Sequence, residues 1–336
     1  MADTKSPATG SASTHIGDIP ATTTLSPRTI RLADLPNAGN IVFRDTAFFK
    51  KNCIELPTPA EVRQRGIEVN GYRARLSQPP TIQYEDLGLV VKYGADVSIG
   101  EAQCLWYFNN YMKDTVPTPE LFGWYQDDGK TFIFMELIPG DTLEDVWPSL
   151  NQQDRDAVYN QLHTSVQAWR SLRQEKEPYY LGHIGRQGIS DIIFSDAGSP
   201  NAGPFKDITK FHDFFARFAC QRRLDLNPRE FEELVGLTDD TPVVFTHGDL
   251  DKSNIMIAPR EKGSLPRVAA IIDWHQSGWY PRDWEWLKAA SLCQTHRVGD
   301  KVVRDISWVS KIVDPADEAY MLAWGYVMAT LGYPFP

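Results

Sequence analysis

Two short segments carry the residues whose types and spacing could do chemistry. The first, Thr246-His247-Gly248-Asp249-Leu250-Asp251-Lys252-Ser253-Asn254-Ile255, fits H-x-D-x-x-x-x-N. Asp249 is spaced to take a proton from a hydroxyl, and the amide oxygen of Asn254 is of the kind that faces a metal ion. The second, Ile271-Ile272-Asp273-Trp274, sets another carboxylate at the end of an apolar run. Phosphoryl transfer asks little covalent chemistry of a protein: it needs the nucleophile in line, charge neutralised on the phosphates and water excluded. Asn254 and Asp273 offer the hard oxygens that Mg²⁺ takes, and His247 would brace the loop between them.

Alone, the first segment also fits a turn in which Asp249 and Asn254 cap backbone groups. The residues downstream favour chemistry. Residues 255–257 and 268–272 read as strands flanking a polar turn around Gly263, so a hairpin would carry Asn254 on one arm and Asp273 at the end of the other. Upstream, Lys92 closes the apolar run 89–93 and Glu101 opens the next helical stretch. A lysine that reaches phosphates needs an acidic partner to hold its long side chain, and Glu101 can serve.

Taken together, these residues resemble the aminoglycoside phosphotransferase and choline-kinase-like family, a branch of the protein-kinase-like fold, particularly its fungal members. The resemblance rests on Val90-Val91-Lys92-Tyr93-Gly94, Glu101, Phe134-Met135-Glu136-Leu137-Ile138-Pro139-Gly140, His247-Gly248-Asp249-Leu250 through Asn254, Ile272-Asp273-Trp274, and Gly278-Trp279-Tyr280-Pro281 through Trp284-Glu285. It implies an α+β fold of two lobes, a small N-terminal antiparallel sheet and a larger, mainly helical C-terminal lobe. It also implies ATP as co-substrate, with the carbonyl of Glu136 and the amide of Ile138 offered to adenine. Lys92 and Glu101 become the pair that clamps phosphate, Asp249 the catalytic base, and Asn254 and Asp273 the Mg²⁺ ligands. The acceptor it implies is a hydroxyl of a small molecule. Two departures stand out: no G-x-G-x-x-G occurs between Tyr72 and Lys92, and His275 stands where an acidic residue commonly follows Asp-Trp.

The elements that must position these groups can be read from periodicity. Residues 1–30, interrupted by Pro7, Pro20 and Pro27, are too poor in large apolar side chains to offset ordering entropy and read as a flexible tail. Structure is expected from about Ile41, with a helix opening at Thr58-Pro59-Ala60-Glu61. Strands are expected at 72–76, 81–84 and 89–93, a helix at 98–111, and a hairpin of 120–125 with 131–135 around Asp127-Asp128-Gly129-Lys130. That turn explains Gly129-Lys130-Thr131 without any phosphate-binding loop, since Asp127 and Asp128 would repel phosphate. Ile138-Pro139-Gly140 divides a nucleotide-binding lobe at 31–137 from a catalytic and substrate lobe at 138–336. In the latter, helices are expected at 151–173, 208–223 and near the C-terminus, with a loop at 200–204. The aromatic cluster Trp274, Trp279, Tyr280, Trp284 and Trp286 reads as core, Glu285 as an anchor for its segment, Asp251 as a solvated loop carboxylate and His275 as a surface histidine.

Composition narrows the functional classes. A net charge of −10 over 336 residues argues against a nucleic-acid partner. No uncharged stretch is convincing as a membrane span. The four cysteines are scattered without C-x-x-C spacing, which fits a reducing, cytoplasmic setting rather than a disulfide framework. Two rivals remain: a kinase-like nucleotide-binding module with a regulatory role and little or no turnover, and a metal-dependent hydrolase using Asp249 and Asp273. The hydrolase leaves Lys92 and Glu101 without roles.

Overall fold

The computed structural model describes residues 27–52, 54–175, 179–196, 202–223, 227–292, 295–298, 301–304 and 306–332. Most of the tail expected at 1–30, part of the 200–204 loop, and Cys53 and Cys293 lie outside these residues.

Alternation along Leu89–Gly94 decides how the small lobe is built. Leu89, Val91 and Tyr93 point to one side of the sheet and pack with Phe48, Val62, Ile82, Phe122, Phe132 and Phe134. The period of two sends Val90 and Lys92 to the other side, toward the cleft. The sheet has five antiparallel strands in the order Ile41–Val42, Leu121–Asp127, Lys130–Glu136, Leu89–Gly94, Ile82–Tyr84. Asp128 and Gly129, both at positive φ, make the two-residue hairpin expected there. The helix expected at 98–111 runs Ile99–Tyr111 and is buried along most of its first two turns.

Helix Pro59–Asn70 opens as its sequence prescribes: the Thr58 hydroxyl caps the Glu61 amide and the Glu61 carboxylate returns to the Thr58 amide. Beyond this helix the strand expected at 72–76 is corrected, because Gly71–Arg75 is a 3₁₀ turn. Gly71 caps the helix at φ 55°, its amide bonding back to Ile67. Of the alternating residues only Ala74 is buried while Tyr72 is 81% exposed, so no apolar face favours a sheet. Structure also begins earlier than Ile41. Thr29–Ile30 pairs in parallel with Arg173–Gln174, and Ile30 and Leu35 join the core.

The strands give way at Leu137–Gly140, and the large lobe is mainly helical: Gln152–Arg170, Ile208–Arg223, Pro228–Val235, Trp284–Leu292 and Glu318–Leu331. Among the described residues, three small antiparallel sheets accompany these helices, one of them the hairpin of Thr295–Val298 with Lys301–Arg304, and the other two bear on the site. One joins Asp141–Thr142, Ile255–Ile257 and Val268–Ile271, the expected hairpin plus a strand from the lobe connection. The other pairs Val243–Thr246 with Gly278–Pro281. Trp274, Trp279, Tyr280 and Trp284 are buried in the core, as expected, and Trp286 is half-buried against it. This two-lobed, protein-kinase-like arrangement is the fold class that the sequence resemblance implies. No helix among the described residues is long and apolar enough to cross a membrane.

Gly140 has φ 126°, and a Cβ there would collide with the Ile257 carbonyl, where the lobe connection lies against the hairpin. Gly140→Ala should therefore lower the unfolding free energy by more than about 1 kcal/mol. Urea denaturation checks this; an unchanged midpoint would contradict the close approach.

Candidate active site

Lys92 and Glu101 arrive from neighbouring elements of the small lobe, and Asp273 from the large one. The Lys92 ammonium lies 2.9 Å from one Glu101 oxygen and 3.0 Å from the other, and 2.6 Å from Asp273 Oδ1. Lys92 and Glu101 are 5% and 1% exposed, whereas the Asp273 side chain is 38% exposed. Burial works against the Lys92 charge, but Glu101 and Asp273 outweigh it and hold its pKa above the ordinary lysine value. Burial pushes the Glu101 carboxyl up to about 7, with Lys92 opposing. Burial also presses Asp273 upward, but Lys92 wins there and keeps it below the usual aspartate range. Asp273 adopts the left-handed conformation, φ 60° and ψ 62°, which aspartate tolerates better than most residues.

The catalytic-loop candidates are joined to Asp273 through the main chain of Ile272. The Ile272 amide donates to the Asn254 carbonyl at 2.9 Å, and the Ile272 carbonyl accepts from His247 Nε2 at 3.0 Å. His247 Nδ1 accepts from the Asp249 amide at 3.2 Å. The imidazole is thus satisfied as the neutral Nε2–H tautomer, and burial lowers its pKa. Asn254 Nδ2 donates to the Asp249 carbonyl at 2.8 Å and to Asp249 Oδ2 at 3.2 Å. Burial raises the Asp249 carboxyl to about 6, chiefly against the opposing charge of Lys288.

The loop is gripped from behind by Glu285, which is fully buried. Its carboxylate accepts from the His247 amide at 2.7 Å and the Gly248 amide at 3.1 Å, the anchoring expected of it. Gly248, at φ 78°, abuts Gln276: a Cβ there would lie 2.6 Å from the Gln276 carbonyl. Gln276 is itself held by a network that sequence reasoning missed. Lys288 Nζ donates to Gln276 Oε1 at 3.0 Å and to Asp191 Oδ1 at 2.7 Å, and Trp284 Nε1 donates to Asp191 Oδ2 at 2.8 Å. Its local sequence signal is the placing of Trp284 and Lys288 four apart, on one face of the Trp284–Leu292 helix.

His275 is not the surface residue that its isolation in the sequence suggests. Its side chain is 16% exposed, Nδ1 lies 4.0 Å from Glu101 Oε2, and burial lowers its pKa to about 4. It is drawn inward because its neighbour Trp274 packs on Phe108 and His247 at ring separations of 4.5 and 4.4 Å. Asp251, expected as a solvated carboxylate, is half-buried and caps the Lys252–Asn254 turn, accepting from the Ser253 amide at 3.0 Å and its hydroxyl at 2.8 Å.

A cleft of about 780 Å³ joins the groups at its two ends. Lys92, Glu101 and Asp273 line one end, while Met135, Glu136, Leu137 and Ile138 line the other. Asp249 and Asn254 are not part of its wall but adjoin it through Ile272. Among the described residues no group of three or more His, Cys, Asp or Glu is gathered to hold a metal. The donor set instead fits Mg²⁺, which binds through one or two protein oxygens and keeps waters and phosphates for the rest. With its Nδ2 spent on Asp249, Asn254 has its amide oxygen left to act beside the Asp273 carboxylate.

Comparison with known proteins bears on most of the chain. The sequence model of a family described as the phosphotransferase enzyme family matches residues 101–330, more than half of the protein. The chain belongs to this phosphotransferase family. No curated protein matches it. Among solved structures, aminoglycoside phosphotransferase APH(4)-Ia is 16% identical, with 68% of this chain and 76% of that one covered and a TM-score of 0.41. The APH(3'')-Id enzyme from Streptomyces rimosus is 15% identical, with 82% and 100% covered and a TM-score of 0.42. An aminoglycoside-3'-phosphotransferase of type VIII is also 15% identical, covering 72% and 84% at a TM-score of 0.41.

The clamp and the buried histidines of this phosphotransferase can each be tested. Glu285→Gln would turn an amide N–H toward a backbone N–H and should cost about 1–3 kcal/mol of stability; an unchanged thermal midpoint would contradict the clamp. His183 packs its ring where a Gly100 side chain would sit, accepts from the Ile184 amide at 2.9 Å, and is held neutral by burial, its pKa lowered to about 3. The unfolded chain takes up that proton below about pH 6.5. Stability should therefore be full above that pH and fall as pH drops, by up to about 1.4 kcal/mol per unit for each such histidine. Urea titrations at pH 7, 6 and 5 should show a steeper loss for the native chain than for His183→Gln; equal slopes would count against this.

Proposed function

We propose that this phosphotransferase is an ATP- and Mg²⁺-dependent kinase that moves the γ-phosphate to a hydroxyl of a small molecule. The observation that carries the reading is the Lys92–Glu101–Asp273 ion-pair cluster, joined through Ile272 to the Asp249–Asn254 loop at one end of an interlobe cleft. A metal-dependent hydrolase would need the two aspartates but not a lysine bonded to one of them.

In this reading Glu136 and Ile138 receive adenine through backbone groups, and the division between lobes falls at residues 137 and 138. Among the described residues the Ile138 amide forms no hydrogen bond, which leaves a donor at the cleft. Lys92, steadied by Glu101, neutralises phosphate oxygens. Asn254 and Asp273 hold Mg²⁺, which when bound neutralises charge developing on the transferred group. Asp249 orients the acceptor hydroxyl and takes its proton, while the Asn254 amide fixes the carboxylate by donating to Oδ2. Glu285 keeps the backbone before Asp249 from shifting, and so preserves the in-line geometry.

A screen of amino alcohols, sugars and aminoglycosides for acceptor-dependent consumption of Mg-ATP tests the activity. Asp249→Ala should bind Mg-ATP as the native chain does, retain its fold, and transfer at a rate lower by roughly 100-fold or more. If the native chain binds Mg-ATP yet transfers to no acceptor, the regulatory binding module is the better reading. Undiminished transfer by Asp249→Ala would remove that residue as the base.

A further inference from the structure

The segment between the Pro59–Asn70 helix and the Ile82–Tyr84 strand lies over the cleft in place of a glycine-rich loop. It is closed on itself, since Asn70 Nδ2 donates to the Pro80 carbonyl at 3.1 Å. It is also pinned at the Lys92 end of the cleft rather than the Glu136 end. Ile82 pairs with Val91, which places Thr81 beside Lys92. The Asp96 amide donates to the Ser77 carbonyl at 3.2 Å, just beyond the lysine strand. Pro79 and Pro80 both line the cleft and have no amide to offer an anion, so this roof cannot cradle phosphate with successive N–H groups as a glycine-rich loop does.

Arg73, on the exposed 3₁₀ turn of this segment, also lines the cleft. The described cleft wall has two cations, Arg73 and Lys92, against four carboxylates, Glu85, Glu101, Glu136 and Asp273. Lys92 is already matched by Glu101 and Asp273. Arg73 forms no ion pair among the described residues, so its guanidinium is the cleft's uncommitted positive charge. A planar fork of N–H donors suits the phosphate oxygens of a nucleotide, bidentately and with charge assistance.

We propose that Arg73 is a nucleotide-binding residue, its guanidinium engaging the β- and γ-phosphates from the roof of the cleft in place of glycine-rich loop amides. The inference rests on the kinase reading but concerns binding, so it can be tested without an acceptor. Calorimetric titration of the full chain with Mg-AMP-PNP and with AMP would be compared for the native protein, Arg73→Gln, Arg73→Lys and Arg75→Gln. Arg75 lies on the same turn, is exposed, and is not part of the cleft wall. Arg73→Gln should weaken Mg-AMP-PNP binding by about tenfold or more and leave AMP unchanged, with Arg73→Lys recovering part of the loss. Arg75→Gln should bind both as the native chain does.

Native-like binding of Mg-AMP-PNP by Arg73→Gln would overturn the proposal and leave the kinase reading intact. So would an equal loss for both nucleotides, which would mark a packing role for the roof, or an equal loss in Arg75→Gln, which would mark a general effect of surface charge. A native chain that binds neither nucleotide would overturn both this proposal and the reading beneath it.

Discussion

One buried ammonium organises this molecule. Lys92 is placed on the cleft side of its strand by alternation alone, and an unpaired charge so deeply buried would be strongly unfavourable. Glu101 answers it from the next helix and Asp273 from the other lobe. Removing the buried partner Glu101 would cost on the order of 3–5 kcal/mol, because the Lys92 charge would lose its compensation within the small lobe. The same contact crosses the cleft, so the pairing that makes burial tolerable also sets the small lobe against the large one.

The large lobe solves a different problem, that of holding an irregular loop still. Between Thr246 and Lys252 the chain is neither helix nor strand, and its amides need partners. Glu285 supplies two acceptors from one fully buried side chain, and His247 supplies another to Asp249. Behind them Lys288, Asp191 and Gln276 form a second tier. A buried ion pair is weak evidence for stability as such. Here it fixes the residue against which Gly248 packs, and so contributes to the uniqueness of the loop's path.

What was legible in the sequence had short-range physical signatures. The hairpin carrying Asn254 and leading to Asp273 shows as two apolar runs around a polar turn, the lysine strand as an apolar run ending in a base, and the Pro59–Asn70 helix as a proline-bounded start at Thr58-Pro59-Ala60-Glu61. Residues 72–76 alternate without forming a strand because neither face of such a strand would be buried. A lone histidine carries no sign of its burial, and that of His275 goes with the packing of its neighbour Trp274. The Lys288–Asp191 pair was invisible for a plainer reason: its partners stand 97 positions apart, and no local pattern announces that they meet. Arg73 likewise acquires meaning only once its turn is seen above the cleft.

The double attachment of Ile272 sorts the site into moving and fixed parts. Its amide and carbonyl are both bonded to the loop that bears Asp249 and Asn254, so Asp273 travels with that loop as one piece of the large lobe. Lys92 and Glu101 travel with the other lobe. Were the cleft to widen, the Lys92–Asp273 contact is the one that would part, while the relation of Asp249 to Asn254 and Asp273 would survive unchanged. Under the proposed kinase reading, a spent nucleotide would leave through such an opening without the acceptor's side of the site having to be reassembled.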